Sequence, residues 1–261
     1  MIRFIITQTL LLLTHLSFSQ QTEKRNLTGF SGIQVARSVD VVFTQSTHFS
    51  IQVETDMAEN LSKITTEIND ETLIVSIDKQ FKSISIGGKW RNSDSQTLYL
   101  KKAVVYISAP QLSYIKCSSS GNFSMTNTLK ATDILLETSS SGDISGNIDA
   151  KNVFISASSS GDFKGQIITN FLEAKASSSG DIVITGSANK VDISASSSGD
   201  FKGKSFTAKE ATLQASSSGD ITLNVVDKLK AQASSSGSIL YDGNPTIIDK
   251  KTSSSGSISK I

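Results

Sequence analysis

Cysteine, histidine, tryptophan and proline are all scarce in this chain of 261 residues, and each shortage removes a class of explanation. It holds one cysteine, two histidines, one tryptophan and two prolines. A single cysteine, Cys117, excludes an intrachain disulfide. His15 lies in an apolar leader, so His48 stands alone downstream: a histidine-rich metal site is excluded, and a serine triad would have to recruit that one ring. No Gly-x-Ser-x-Gly elbow occurs. Charge is lacking too, with 25 basic against 24 acidic residues, and removing the leader with its Arg3 leaves 24 of each. A neutral chain has no field to draw in nucleic acid or an anionic membrane surface.

What the chain has in plenty is one phrase, Ser-Ser-Ser-Gly, followed by Asp, Asn or Ser and then Ile or Phe. It occurs eight times, with its glycines at Gly121, Gly142, Gly161, Gly180, Gly199, Gly219, Gly237 and Gly256. The spacing of 18 to 21 residues is about one turn of a parallel β-solenoid and too short for a helical-pair repeat. The predicted fold is all-β: a parallel single-stranded β-helix of about 19-residue coils over 117–261, preceded by an irregular β-rich part over 30–116.

Aligned on their glycines, the copies show which side chains face inward. Eight residues before the glycine stand Ile134, Val153, Leu172, Val191, Ala211, Leu229 and Ile248; six before it stand Ile115, Leu136, Ile155, Ala174, Ile193, Leu213 and Ala231. Four before it the column narrows to Cys117, two threonines and five alanines. Period two marks a strand with one buried face. Extended through the triplet, the same parity sends the middle serine of each inward and its two neighbours outward, with the glycine supplying a backbone conformation that costs other residues energy. Two residues past the glycine, Phe and Ile alternate over six coils, so each ring is expected between smaller neighbours.

Residues 1–19 read as a signal peptide: Arg3, the apolar run from Phe4 to Leu13, and small residues at Ser17 and Ser19. That run is too short to span a bilayer, and the expected location is the periplasm, the outer-membrane surface or the extracellular space. Residues 20–29 are expected to form a loose lead. Strands are expected at 33–35, 39–43, 50–53, 64–68 and 73–77, a helical turn at 57–63 capped by Asp56, and together they should cap the amino end of the stack. Gly87 to Asp94 is the longest polar interruption. Its Trp90 is either an exposed ring that stacks on a sugar or one that folds back on the solenoid from a hairpin.

Five aspartates follow corner glycines: Asp143, Asp162, Asp181, Asp200 and Asp220. One reading is a row of cation sites. The other is that each carboxylate accepts backbone amides at its corner, with Lys164 and Lys202 as counter-ions. The roughly 19-residue period does not match the nine-residue calcium roll. Acids that repeat because the coil repeats also differ from the unlike wall acids of β-helical polysaccharide enzymes. Outward serines, Ser160, Ser179, Ser198 and Ser218 among them, make a hydroxyl-covered strip that is a candidate binding surface for glycans. Lys250, Lys251 and Lys260 read as charges guarding a sheet edge in the last coil, the alternative being homo-oligomerisation there.

The order of phrases carries a resemblance. Phe30-Ser31-Gly32-Ile33-Gln34-Val35, then Val39-Asp40-Val41, Leu73-Ile74-Val75, Val104 to Leu112 and the Ser-Gly-Asp-Ile corners resemble the head GIN domain family of putative autotransporter adhesins, common in Bacteroidetes. The resemblance runs from about residue 30 to the carboxyl end. It implies a β-helical domain and an adhesin-like role, and it transfers no catalytic residue. The expected function is a secreted or cell-envelope, non-enzymatic binding or structural module with a surface glycan or protein as partner and no cofactor. A carbohydrate-active or calcium-binding solenoid is the alternative.

Overall fold

The structure, a computed structural model, describes residues 21–78, 90–91, 97–98 and 103–261. The expected signal peptide lies outside the described residues, as does the side chain of Trp90.

Twenty strands and one short helix follow in chain order. The amino-terminal part holds β1 (Gln21–Arg25), β2 (Gly32–Val35), β3 (Asp40–Gln45), β4 (Ser50–Thr55), α1 (Ala58–Leu61), β5 (Ile64–Asn69) and β6 (Thr72–Ile77). Next come β7 (Trp90–Arg91) and β8 (Thr97–Leu98), an antiparallel pair, and then β9 (Ala103–Ala109). The stack follows: β10 (Tyr114–Cys117), β11 (Asn122–Met125), β12 (Leu129–Thr138), β13 (Asp143–Ala157), β14 (Phe163–Ser177), β15 (Ile182–Ser196), β16 (Phe201–Ala215), β17 (Asp220–Ala233), β18 (Ser238–Asp242), β19 (Ile247–Thr252) and β20 (Ser257–Lys260).

Strands β10 to β20 form a solenoid in which each coil pairs in parallel with the next. Ile144 stands beside Phe163, Phe163 beside Ile182, Ile182 beside Phe201 and Phe201 beside Ile221, so the alternating column is in register. The columns eight, six and four residues before each glycine are buried from Ile134 to Ala233, as the period of two requires. Each long strand bends once. The ladder skips Lys151, Asn170 and Asn189, and the inward phase moves by one residue there, folding each coil into two walls around one core.

Glycine accommodates the large rings. Phe201 fills its column completely, and a Cβ on Gly203 would lie 2.6 Å from the ring edge. Ile182 and Ile221 instead carry buried Ile184 and Leu223 two residues on. The first two coils reverse this pairing, Phe123 with Met125 and Ile144 with Gly146, and a Cβ on Gly146 would meet the Met125 side chain at 2.5 Å.

The amino-terminal part closes one end of the stack with more order than expected. β2 and β3 form a regular coil beneath the first serine corner: Ile33 pairs with Ile115 and Asp40 with Asn122, both parallel. Below this coil the two walls continue separately. One is extended by β9, antiparallel β4 and antiparallel β1, the other by β6 and antiparallel β5. The helical turn is present, but Met57 and not Asp56 is its cap residue, and it makes no side-chain cap bond. Asp56 instead accepts from the amide of Asn60 at 3.1 Å.

Candidate functional site

The serine phrase builds the same corner every time. The glycine amide donates to the carbonyl of the first serine at 2.8–3.1 Å, and the two serines between have φ from +47° to +64°. Positive φ at both central positions defines a type I′ turn. Neighbouring turns are linked as well: Ser160 N donates to Ser178 O, and Ser179 N to Ser197 O, at 3.2 Å. The corners therefore lie over one another in register.

Two expectations about this corner are corrected. The middle serines, such as Ser159 and Ser178, are exposed and not buried. Parity holds only while the chain stays extended, and two left-handed residues turn it back on itself before the middle side chain reaches the core. The exposed files are the second and third serines, while the first, such as Ser158, is half-buried. The glycines, in turn, have no positive φ. Their requirement is steric: a Cβ at Gly180 would lie 2.6 Å from Ser158 N and 2.7 Å from Ala157 C in the preceding coil.

Ser160, Ser179, Ser198 and Ser218 thus stand on an exposed ridge, each beside an exposed middle serine. Among the described residues, none of these second- and third-serine hydroxyls is hydrogen-bonded within the chain. Left-handed backbone costs a non-glycine residue about 1–2 kcal/mol, and Asn-Gly is the sequence such turns favour. Folding alone does not account for serine at these positions.

The aspartates stand beside that ridge, and three of the five, Asp143, Asp162 and Asp200, accept from backbone one coil along. Asp143 Oδ1 accepts from Asp162 N at 3.0 Å, Asp162 Oδ1 from Asp181 N at 2.9 Å, and Asp200 Oδ1 from Asp220 N at 3.3 Å. Lys202 pairs with Asp181 and, at 3.3 Å, with Asp200. The Asp181 hydrogen bond holds its ammonium above the ordinary range, against a smaller opposing effect of partial burial. Lys164, the other expected counter-ion, makes no ion pair among the described residues. No group of three or more His, Cys, Asp or Glu side chains converges among the described residues.

Other reactive groups are scattered. His48 is exposed, with Thr47 Oγ1 at 2.8 Å from its Nδ1. Cys117 is fully buried, and burial, then the nearby Asp143 charge, push its thiol far above the usual range. Among the described residues no helix is long and apolar enough to cross a membrane.

A polar cleft of about 640 Å³, for which no motif in the sequence is a sign, opens where the chain rejoins the stack after β9. Gln45 ties its back wall, donating to Pro110 O and Lys130 O at 2.9 Å and accepting from Lys130 N at 2.7 Å. Its residues come from segments 65 and 85 positions apart in the chain, so no local motif announces them.

A profile of the family described as "Putative auto-transporter adhesin, head GIN domain" matches residues 29–166 and 147–245. The fold is similar to that of a solved adhesin candidate from Parabacteroides distasonis (TM-score 0.80, 19% identity, 93% of this chain and 97% of that one). It is similar, too, to one from Parabacteroides merdae (0.79, 19%, 93% and 96%). A third likeness is to a P. distasonis structure titled as a lipid binding protein candidate (0.80, 24%, 93% and 96%). A search among curated proteins found no match. With the profile spanning both the amino-terminal cap and most of the serine coils, the chain belongs to the head GIN domain family of putative autotransporter adhesins.

Proposed function

We propose that this protein is an exported, surface-located binding module without catalytic activity, in which the solenoid is a rigid mount for an adhesive ridge. The observation that supports this reading is the row of exposed serine pairs, held at strained φ with hydroxyls that bond nothing among the described residues. Rows of hydroxyls at the coil spacing of about 4.8 Å suit a repeating, hydroxyl-rich partner such as a surface glycan. The aspartates are occupied in capping corners, which favours the structural reading of that ladder over a cation array.

The test is adhesion of the full chain to immobilised glycans and to extracellular-matrix proteins, alongside a variant in which Ser160, Ser179, Ser198 and Ser218 are all alanine. Loss of adhesion with an unchanged melting temperature supports the ridge; undiminished adhesion by the fourfold variant rejects it. Self-association belongs to the same reading at the outer edges of β19 and β20, where Ile247 and Ile248 are 57% and 47% exposed. A light-scattering concentration series that shows only monomer removes it.

A further inference from the structure

We infer that the cleft between the β9–β10 connection and the start of β12 is a second binding site, for a short neutral oligosaccharide. The inference rests on the reading of the chain as a binding module, and it is independent of the serine ridge.

The cleft is rigid before anything enters it. Besides the three bonds of the Gln45 side chain, its backbone N accepts no freedom: it donates to Asn127 Oδ1 at 2.9 Å, and Asn127 Nδ2 donates back to Gln45 O at 3.0 Å. On the facing side Ser113 Oγ donates to Ser31 O at 3.3 Å. Three distant chain segments are thus pinned together around one opening. Preorganisation of this kind lowers the ordering cost of binding.

The rim is the reverse, polar and largely unspent. Glu71 uses Oε2 to accept from Ser31, and Asp133 uses Oδ1 to accept from Asn152 at 2.6 Å. Their second oxygens, the Thr132 hydroxyl and the Gln111 amide make no hydrogen bond among the described residues. Each of these four residues is exposed at the opening. Apolar surface is contributed by exposed Pro110 and half-buried Ala131, with Leu112 buried behind them.

A small apolar patch at Pro110 and Ala131 within a rim of donors and acceptors matches a pyranose, which has a C–H face and an edge of hydroxyls that both donate and accept. The volume lies within the range of about 300–1,000 Å³ usual for small-molecule sites. Two carboxylates against the single ammonium of Lys130 disfavour uronates, sulfated sugars and phosphates.

The experiment is an NMR titration of the full chain with maltotriose, cellotriose and chitotriose, and with a sulfated chondroitin disaccharide as the anionic comparison. At least one neutral trisaccharide should shift the amides of 110–113 and 130–133 saturably. Gln111→Ala and Asp133→Ala should each weaken it about tenfold, while Ser179→Ala leaves it unchanged. Gln111 makes no hydrogen bond among the described residues, so its variant is expected to read binding without a stability effect. The inference is overturned if none of the three moves these amides, if the shifts survive both substitutions, or if the sulfated sugar binds more tightly. Shifts confined to the serine corners would remove the cleft and leave the adhesive reading standing; cleft binding together with undiminished adhesion by the ridge variant would do the opposite.

Discussion

Asp143 Oδ1 lies 3.0 Å from the backbone nitrogen of Asp162, its counterpart one coil along. The same bond joins Asp162 to Asp181. Carboxylates one coil apart, about 4.8 Å, repel by roughly 0.9 kcal/mol even in water. A hydrogen bond to a charged acceptor contributes about 1.5–3 kcal/mol. Capping therefore outweighs repulsion at these two pairs.

Asp162→Asn keeps an acceptor oxygen while deleting the charge, so its stability in urea denaturation should stay within about 0.5 kcal/mol of the parent. Asp162→Ala should lose about 1–2 kcal/mol. Neither chelator nor added calcium should move the melting temperature. A calcium-dependent rise would show that the carboxylates hold metal in solution.

Gly180→Ala should be among the most damaging single substitutions, at roughly 4 kcal/mol or more, because its Cβ meets backbone that has nowhere to go. Ser179→Gly should act the other way. Its φ of +63° suits glycine, and a gain of about 0.5–1 kcal/mol is expected. Thermal unfolding decides both, and a destabilised Ser179→Gly would mean that the hydroxyl supports the fold.

The fit of Phe201 to Gly203 predicts strong coupling. Gly203→Ala alone should cost about 1–3 kcal/mol by overpacking, and Phe201→Leu should remove much of that penalty. A double-mutant cycle giving less than about 0.5 kcal/mol of interaction would refute the shared-volume account.

Cys117 supplies a pH dependence. Its thiol pKa is raised in the folded state by burial. Below the unfolded value of about 8.5 both states are protonated and the full stability is present. Above it the unfolded chain loses a proton that the folded chain keeps, so stability falls as pH rises, by at most about 1.4 kcal/mol per pH unit. Cys117→Ala, which matches the alanines of its own column, should flatten that slope. Reaction of the native thiol with a disulfide reagent at the rate of the unfolded chain would contradict the burial.

Much of the fold was legible because repetition exposes register: the glycines aligned the coils, and period two found the columns as far as Ala157 and its equivalents. Parity failed at Ser159 because side-chain alternation is a property of extended backbone, and the triplet leaves it after one residue. The first corner went unread for a different reason. Ala36-Arg37-Ser38-Val39 lacks the phrase, yet Arg37 and Ser38 have φ of +61° and +58°, and Ser38 N donates to Ser119 O at 3.1 Å. Below Val39 the strand β6 runs on through Ser76 and Ile77 without turning, so among the described residues no corner there collides with its side chain. The alignment of Ser38-Val39-Asp40-Val41 with Ser120-Gly121-Asn122-Phe123 was the available signal. The cleft had none, being assembled from segments that only the fold brings together.

That opening coil rests against residues 82 positions later in the chain, Asp40 against Asn122, whereas Asp143 waits only 19 for Asp162. By loop-closure entropy the longer wait costs about 1.3 kcal/mol more. A chain emerging amino end first therefore holds an unfinished base until its midpoint has appeared, after which growth proceeds by short, nearly equal increments. Assembly of this molecule begins slowly and ends fast, and a break in the middle would harm its foundation more than its summit.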